Sequence, residues 1–291
     1  MITSEPATRR ARLLVAYEGS HFSGFAVNDD VRSVAGVIGD ALSLISRFPV
    51  HITGAGRTDA GVHGWGQVIT CDLPTDIDLE NLPRRLTKMC APGVVVRAAE
   101  WAASDFHARF SAYWRHYRYT VLNDPVADPF LAATAWHVPQ ELDLPLMYLA
   151  CDPLIGEHDF SAFCRKPKPV EGEKEPSMFR EVTQARWSEH TSERGARILR
   201  FEIRANAFCH QMVRSIVGTL VDVGLRKLTP GAMSGILRSS AAFTGVFGPS
   251  SLGHLAEHTW LLFAFNRLRF TAEGRKVVFA DERITGQIHE R

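Results

Sequence analysis

The stretch GAGRTDAGVHGWGQV, residues 54–68, surrounds the triplet Arg57-Thr58-Asp59 with five glycines. Glycine lets the backbone turn freely and lets another molecule approach closely, at a cost in conformational entropy on folding. A strand-like segment, VHITGAG, runs into this stretch, and a second, GQVITCDL at residues 66–73, leaves it. The pattern predicts a permissive loop between two strands, and this loop holds one arginine and one carboxylate.

An amphipathic helix is predicted on either side of this loop. Before it, apolar residues recur from Val34 to Ile45 with the i, i+3, i+4, i+7 spacing of one helical face, and Ser33 is a suitable N-cap. In the second half, residues 209–223 show a similar periodicity. The positions expected to be buried there are Met212, Val213, Ile216, Val217, Leu220 and Val221.

Both halves of the chain combine a strand, a short loop and an amphipathic helix with further strands. Strands outnumber helices and many neighbours are predicted to be antiparallel, so the fold class is α+β rather than a doubly wound sheet. We place an N-terminal half at residues 1–125, a C-terminal half at 126–270 and an unassigned tail at 271–291. Residues 165–181, dense in proline and charge, are predicted to form a mobile loop. Two similar halves would form a cleft between them, a common place for a binding site.

Length and composition favour one large or two modest domains. The chain has 291 residues, of which 45% are hydrophobic and 22% are charged. It shows no signal peptide and no run approaching the roughly 20 apolar residues that span a bilayer. Its five cysteines are scattered without a Cys-x-x-Cys pair, so neither a disulfide framework nor a structural zinc site is expected. We therefore expect a soluble cytoplasmic protein.

Several chemistries that depend on a recognisable motif are excluded. The sequence has no P-loop, no Gly-x-Gly-x-x-Gly segment opening a helix and no Gly-x-Ser-x-Gly elbow. Its twelve histidines do not fall at metal-ligand spacings with cysteines or carboxylates. We expect no metal and no cofactor, which leaves chemistry performed by a carboxylate.

The segment FHARFSAYWRHYRYTVL, residues 106–122, contains no Asp or Glu, although the net charge of the whole chain is only +1. Basic and aromatic residues together suit a phosphate-bearing ligand whose bases can stack. A strand with a solvated basic side and an aromatic core side explains the pattern equally well. The basic residues are Arg109, Arg115, Arg118, His107 and His116, and the aromatic ones between them are Tyr113, Trp114, Tyr117 and Tyr119.

Asp59 is the strongest candidate for chemistry. A lone aspartate in a glycine-rich loop is most often a turn residue whose side chain binds a nearby backbone N–H. That interpretation does not explain Arg57 two residues earlier, nor His63 and Trp65 just after. An adjacent arginine favours the ionised form of a carboxylate, which can then act as nucleophile or base at a sugar or base carbon. Spacing alone indicates a candidate carboxylate active site and no more.

The same loop closely resembles the signature loop of the TruA family of tRNA pseudouridine synthases. Three further segments resemble motifs of that family in the same order: AYEGSHFSGF at 16–25, DFHARFSAYWRHYRY at 105–119 and ANAFCHQMVRSIVGTLVDVG at 205–224. LIGEHDFSAF, at 154–163, is a weaker match. The resemblance implies two RNA-recognition-like (ferredoxin-like) halves with mainly antiparallel sheets side by side and an active-site cleft between them.

The resemblance also implies an activity and roles for four residues. The family isomerises uridine to pseudouridine at positions 38, 39 and 40 of the tRNA anticodon stem-loop, as a homodimer without metal or cofactor. Asp59 matches the catalytic carboxylate, and Arg57 would expel the target uridine and fill the space it leaves. Tyr117 would stack on the flipped uracil, although a core aromatic is the alternative. Arg214 would reach Asp59, whereas an arginine among apolar neighbours usually extends to solvent.

The sequence departs from the family pattern at two places. Ala26-Val27-Asn28 follow Phe25 where the family has a glutamine, and Leu252-Gly253 replace a Pro-x-x-Gly-Leu segment near the target base. These changes bear on pocket details and positional selectivity. They also motivate an alternative, a catalytically inactive tRNA-binding or RNA-folding protein of the same fold. A carboxylate enzyme acting on a nucleoside or glycoside would need a second acid flanking the bond, and none accompanies Asp59 in the motif.

Overall fold

The computed structural model describes residues 6–28, 30–165, 175–239, 260–263, 268–270 and 277–279. Within these residues the strands are β1 (Thr8–Tyr17), β2 (Thr53–Gly54), β3 (His63–Pro74), β4 (Val94–Trp101), β5 (Arg115–Leu122), β6 (Trp136–His137), β7 (Gly156–Asp159), β8 (Phe179–Thr191), β9 (Arg197–Ala205), β10 (Trp260–Phe263), β11 (Leu268–Phe270) and β12 (Val277–Phe279). The helices are α1 (Val34–Ser46), α2 (Leu82–Cys90), α3 (Leu144–Leu149), α4 (Met212–Gly224) and α5 (Ala232–Leu237). The predicted α+β class is confirmed.

Ten of these strands form one sheet. Its order is β4-β1-β3-β10-β5-β9-β8-β7, with β2 paired to β3 and β6 paired to β5. Most neighbours are antiparallel, whereas β10 runs parallel to β3 and β6 runs parallel to β5. Since β10 pairs with both β3 and β5, it joins the strands at the N-terminal end of the sheet to those at the other end. Strands β11 and β12 form a separate antiparallel pair.

The N-terminal helices α1 and α2 cover one face of β1, β3 and β4. Alternate residues of β1, including Leu13 and Val15, point into the core beneath these helices together with Ile38 and Leu86. Ser33 caps α1 as predicted, because its Oγ accepts a hydrogen bond from the N–H of Gly36 at 3.1 Å. The helical periodicity read from the sequence is thereby confirmed for this segment.

A larger core forms around α4. All six positions of this helix that were predicted to be buried are buried, and they pack against apolar residues of β5 and β9 such as Tyr119, Val121 and Phe201. The helix thus presses against the middle of the sheet. The first turn of α4 faces the loop between β2 and β3. Arg214, in that turn, is thereby placed next to the loop.

Several boundaries differ from the sequence-based expectations for physical reasons. β5 begins at Arg115 rather than Ser111, because residues 107–111 form a turn in which the N–H of Ser111 binds the carbonyl of His107 at 2.8 Å. β8 begins at Phe179, inside the predicted loop 165–181, because it pairs there with β7, a strand that was not predicted. Residues 166–174 of that loop and most of the tail 271–291 lie outside the described residues. In the described part of the chain, every helix is too short or too polar to cross a bilayer.

Candidate active site

The loop between β2 and β3 is held from beneath by buried polar contacts. Thr58 is buried, and its Oγ1 shares a hydrogen bond with the Tyr17 hydroxyl at 2.9 Å. The carbonyl of Thr58 accepts a hydrogen bond from the N–H of Phe25 at 3.0 Å, and Gln67 Nε2 donates to the carbonyl of Gly56 at 2.6 Å. With the middle of the Arg57-Thr58-Asp59 triplet directed inward, its two flanking residues are exposed.

Two glycines of this stretch are required for packing, a reason that was not predicted from the sequence. A Cβ atom at Gly54 would overlap the ring of Phe25, and one at Gly64 would overlap the ring of Tyr17. Gly24, which precedes Phe25, has a φ of +107°, and a Cβ there would lie 2.9 Å from the carbonyl oxygen of Thr58. The first strand and its following loop therefore fit closely against the Arg57-Asp59 loop.

Asp59 faces the first turn of α4. Its carboxylate is 45% exposed, and Oδ2 lies 3.5 Å from Nη2 of Arg214, whose side chain is only 9% exposed. On the other side, Oδ1 of Asp59 lies 3.8 Å from Nε2 of His210. The fold therefore brings Asp59 and Arg214 together, as the resemblance implied, by packing α4 against the sheet. The alternative for Arg214, extension to solvent, is wrong because the side chain is buried.

A cavity of about 910 Å³ opens at this ion pair. Its lining comes from both ends of the sheet, from the loop between β2 and β3 at one end and from the segment between β9 and α4 at the other. Among the described residues that line it, Asp59 is the only carboxylate. Six arginines and one histidine surround that single acid, namely Arg57, Arg109, Arg115, Arg165, Arg180, Arg214 and His210. Such a concentration of positive charge in a concave site favours an anionic ligand with several phosphates.

Tyr117 and Arg57 both line the cavity. The ring of Tyr117, on β5, packs in a T-shaped arrangement with that of Phe208, with the centroids 4.9 Å apart. Burial, and to a smaller extent the negative charge of Asp59, raise the pKa of Tyr117 above its usual value. Its phenol is therefore neutral at physiological pH. Arg57 is exposed at the rim, where a long cationic side chain can reach a bound ligand. All four residues selected from the sequence therefore lie at one cavity.

Three basic residues at this cavity were not predicted from the sequence. His210 lies four residues before Arg214, at a spacing that places two helical side chains on one side, but it precedes the helix and had no motif to single it out. Arg165 and Arg180 lie near the two ends of the loop 165–181 that was predicted to be mobile. Ala26 and Val27, at the first departure from the family pattern, also line the cavity, whereas Leu252-Gly253 lie outside the described residues.

A cysteine pair corrects one expectation from the sequence. Cys164 and Cys209, 45 positions apart, form a disulfide whose Cα atoms are 5.8 Å apart, whereas no disulfide framework was expected. Tertiary packing creates this proximity, since the N–H of Arg165 also binds the carbonyl of His210 at 3.0 Å. Cys71, Cys90 and Cys151 are buried thiols. Widely spaced cysteines give no signal in the sequence when a fold brings them together.

Comparisons with known proteins identify the family of this chain. A family model described as tRNA pseudouridine synthase matches residues 13–111 and 150–244. A tRNA pseudouridine synthase A from Brevibacillus brevis is 38% identical over 233 residues, covering 79% of this chain and 90% of the relative. The enzyme of the same name from Frankia casuarinae is 39% identical over 223 residues, covering 76% and 78%. That from Halalkalibacterium halodurans is 34% identical over 248 residues, covering 84% and 89%. This chain therefore belongs to the tRNA pseudouridine synthase family.

Proposed function

We propose that this protein isomerises uridine to pseudouridine at positions 38, 39 and 40 of the tRNA anticodon stem-loop, with Asp59 as the catalytic carboxylate. The observation that supports this most strongly is the single carboxylate paired with a buried arginine in a cavity lined by arginines. Family membership supports tRNA as the substrate, and the choice of the three positions follows the resemblance of the motifs. In this proposal the reaction uses no metal and no cofactor.

The isomerisation breaks the C1′–N1 bond, turns the uracil within the pocket and joins C5 to C1′. The proton displaced from C5 is balanced by the proton gained at N1. A carboxylate can assist by attacking the ribose or by removing a ribose proton, and both routes require the ionised form. Arg214 places a positive charge 3.5 Å from Oδ2 and orients it, and His210 lies 3.8 Å from the other oxygen.

The remaining residues of the cavity have roles in holding the nucleotide. A base must leave the stack before an enzyme can act on it, and Arg57 at the rim is placed to fill the space that the uridine leaves. Tyr117 offers a ring that can stack on the flipped uracil. Arg109, Arg165 and Arg180 would bind the phosphates on either side of the target nucleotide.

The cavity and sheet are compatible with two RNA-recognition-like halves, residues 1–125 and 126–270, that meet at the cleft, with 271–291 as a tail. We further propose that the protein acts in the cytoplasm as a homodimer, because the tRNA arm is larger than the footprint of one cleft. Light scattering at micromolar concentration tests this directly. A dimer mass is expected, and a monomer at that concentration contradicts it.

The proposed reaction is tested by incubating the purified protein with unmodified tRNA transcripts and mapping pseudouridine nucleotide by nucleotide. Product at uridines 38, 39 and 40 is expected, and transcripts with cytidine at these positions are the control. Product elsewhere would overturn the assigned positions. Tight tRNA binding without any product would instead support the inactive RNA-binding protein.

A further inference from the structure

Arg115, the first residue of β5, binds four main-chain carbonyl oxygens with one guanidinium. Nη2 donates to the carbonyl of Ala55 at 2.9 Å and to that of Arg109 at 2.6 Å, and Nε also reaches Ala55 at 3.2 Å. Nη1 donates to the carbonyl of Asn206 at 2.6 Å and to that of Ala112 at 3.4 Å. Every nitrogen of the guanidinium is thus engaged by backbone.

These carbonyls belong to three segments that are distant in sequence. Ala55 starts the loop that contains Arg57 and Asp59, and Asn206 follows β9 on the path to α4 and Arg214. Arg109 lies in the turn before β5 and lines the cavity. Arg115 is therefore a direct link between the loop that holds Asp59 and the segment that leads to its partner Arg214.

The Asn206 end of this link is itself fixed. The side-chain Oδ1 of Asn206 accepts hydrogen bonds from the N–H of Glu181 at 3.1 Å and from that of Ala207 at 2.7 Å. A carbonyl anchored in this way to β8 is a firm point from which Arg115 can hold the Asp59 loop. Arg115 would therefore fix the position of the Asp59 loop relative to the segment between β9 and α4.

Only an arginine suits this arrangement. A guanidinium has five N–H donors in a planar fork, whereas a lysine has three donors on one nitrogen and cannot span acceptors on opposite sides. Burial lowers the pKa of Arg115 below its usual value, and in the described part of the chain no carboxylate forms an ion pair with it. The carbonyl dipoles are what stabilise its charge, so the site is built to hold backbone rather than to balance an acid.

We propose that Arg115 is a positioning residue for uridine isomerisation. It sets the distance between Asp59 and Arg214 by binding the backbone of the Asp59 loop and that of the segment between β9 and α4. This inference rests on the proposed function. Arg115 acts through these other residues and not on the uridine itself. Because a misplacement of about 1 Å can cost about 10²-fold in rate, the loss of this link should lower kcat on that order.

The test is a steady-state comparison of wild-type protein, Arg115→Lys and Arg115→Ala on a tRNA transcript. We expect kcat to fall on the order of 10²-fold in both variants while KM changes less than about threefold. Arg197 of β9 provides a matched control, since it also binds several segments through Asn123, Leu142 and Glu189 but does not line the cavity. Arg197→Lys should leave kcat unchanged.

Two further readouts separate positioning from other roles of Arg115. Millimolar guanidinium should restore kcat of Arg115→Ala at least tenfold and methylammonium should not, since only guanidinium reproduces the fork. A phosphate contact would instead raise KM and reduce the salt dependence of tRNA binding by about one counterion. That result, or an unchanged kcat in Arg115→Lys, overturns the inference.

The same experiment distinguishes the failure of this inference from the failure of the proposed function. Wild-type protein that forms no pseudouridine refutes the proposed function and, with it, the role of Arg115. Active wild-type protein with an equally active Arg115→Lys refutes the role of Arg115 alone. If Arg115→Ala fails to fold, Arg115→Lys decides the matter, with its melting temperature compared with that of Arg197→Lys.

Discussion

Nη2 of Arg214 in α4 lies 3.5 Å from Oδ2 of Asp59 in the loop between β2 and β3. The arginine is almost fully buried and the carboxylate is about half exposed, so the cation is fixed by the fold and the anion faces the cavity. A buried cation presented to an exposed acid orients that carboxylate toward the cavity. This pair connects the architecture to the proposed chemistry.

Removing the charge of Arg214 should impair catalysis more than tRNA binding. In Arg214→Gln, Asp59 loses the cation 3.5 Å from its Oδ2 and with it its orientation, and a misplacement of about 1 Å can cost about 10²-fold in rate. We expect kcat to fall by about tenfold to hundredfold, with Arg214→Lys intermediate. Single-turnover kinetics with a tRNA binding measurement check this. An unchanged rate with weakened binding would mean that Arg214 contacts RNA instead.

Tyr117 should tolerate phenylalanine but not leucine. Stacking needs a ring, and a base stacked on an aromatic side chain is worth about 1–3 kcal/mol. Tyr117→Phe is expected to stay within a few-fold of wild-type kcat/KM, whereas Tyr117→Leu should lose about tenfold to hundredfold. Since the phenol is neutral at physiological pH, its hydroxyl is not expected to act as a base. Equal losses in both variants would show that the hydroxyl and not the ring matters.

Gly24 should be intolerant of alanine. Its φ of +107° is strained for any side chain, and the added Cβ would lie 2.9 Å from the carbonyl of Thr58. We expect Gly24→Ala to lower the free energy of unfolding by about 1–3 kcal/mol in denaturant titrations. Gly231→Ala is the control, because a Cβ at Gly231 meets nothing within 4 Å and should change stability by less than about 0.5 kcal/mol. Equal stability of the two variants would contradict this account.

His116 should make the fold sensitive to acid. Burial lowers its pKa from 6.5 to about 4, so between these values the unfolded chain binds a proton that the folded one does not. Its contribution to stability is therefore complete above pH 6.5 and decreases as the pH falls toward 4.

Glu202, beside His116, acts in the same direction. Burial opposes its ionisation, but hydrogen bonds from Arg118 and Arg186 hold its pKa below 4.5, so its contribution is also lost in acid. Unfolding titrations from pH 8 to 4 should therefore show a smaller decrease in stability for His116→Gln than for wild-type protein. Parallel pH profiles would show that His116 is not buried in its neutral form.

Local patterns predicted much of this molecule. The periodicity of α1 and α4 and the cap at Ser33 depend on neighbouring residues alone, and these elements were predicted correctly. β7 was missed because its four residues are stabilised by pairing with β8 and have no pattern of their own. The same limit applies to Cys164 and Cys209, and to His210 beside Asp59, since tertiary packing brings them together. The glycines at 54 and 64 were recognised as unusual, but the rings that require them could not be known before the fold.

The most direct test of the central proposal is pseudouridine formation at positions 38, 39 and 40 by Asp59→Asn. This change removes the charge of the carboxylate with little change in shape. Asp40→Asn, at an exposed position of α1, serves as the control. We predict that Asp59→Asn binds tRNA with an affinity close to that of wild-type protein and forms no detectable pseudouridine, while Asp40→Asn remains fully active. Product formation by Asp59→Asn at a rate near that of wild-type protein would contradict the role of Asp59 as the catalytic carboxylate.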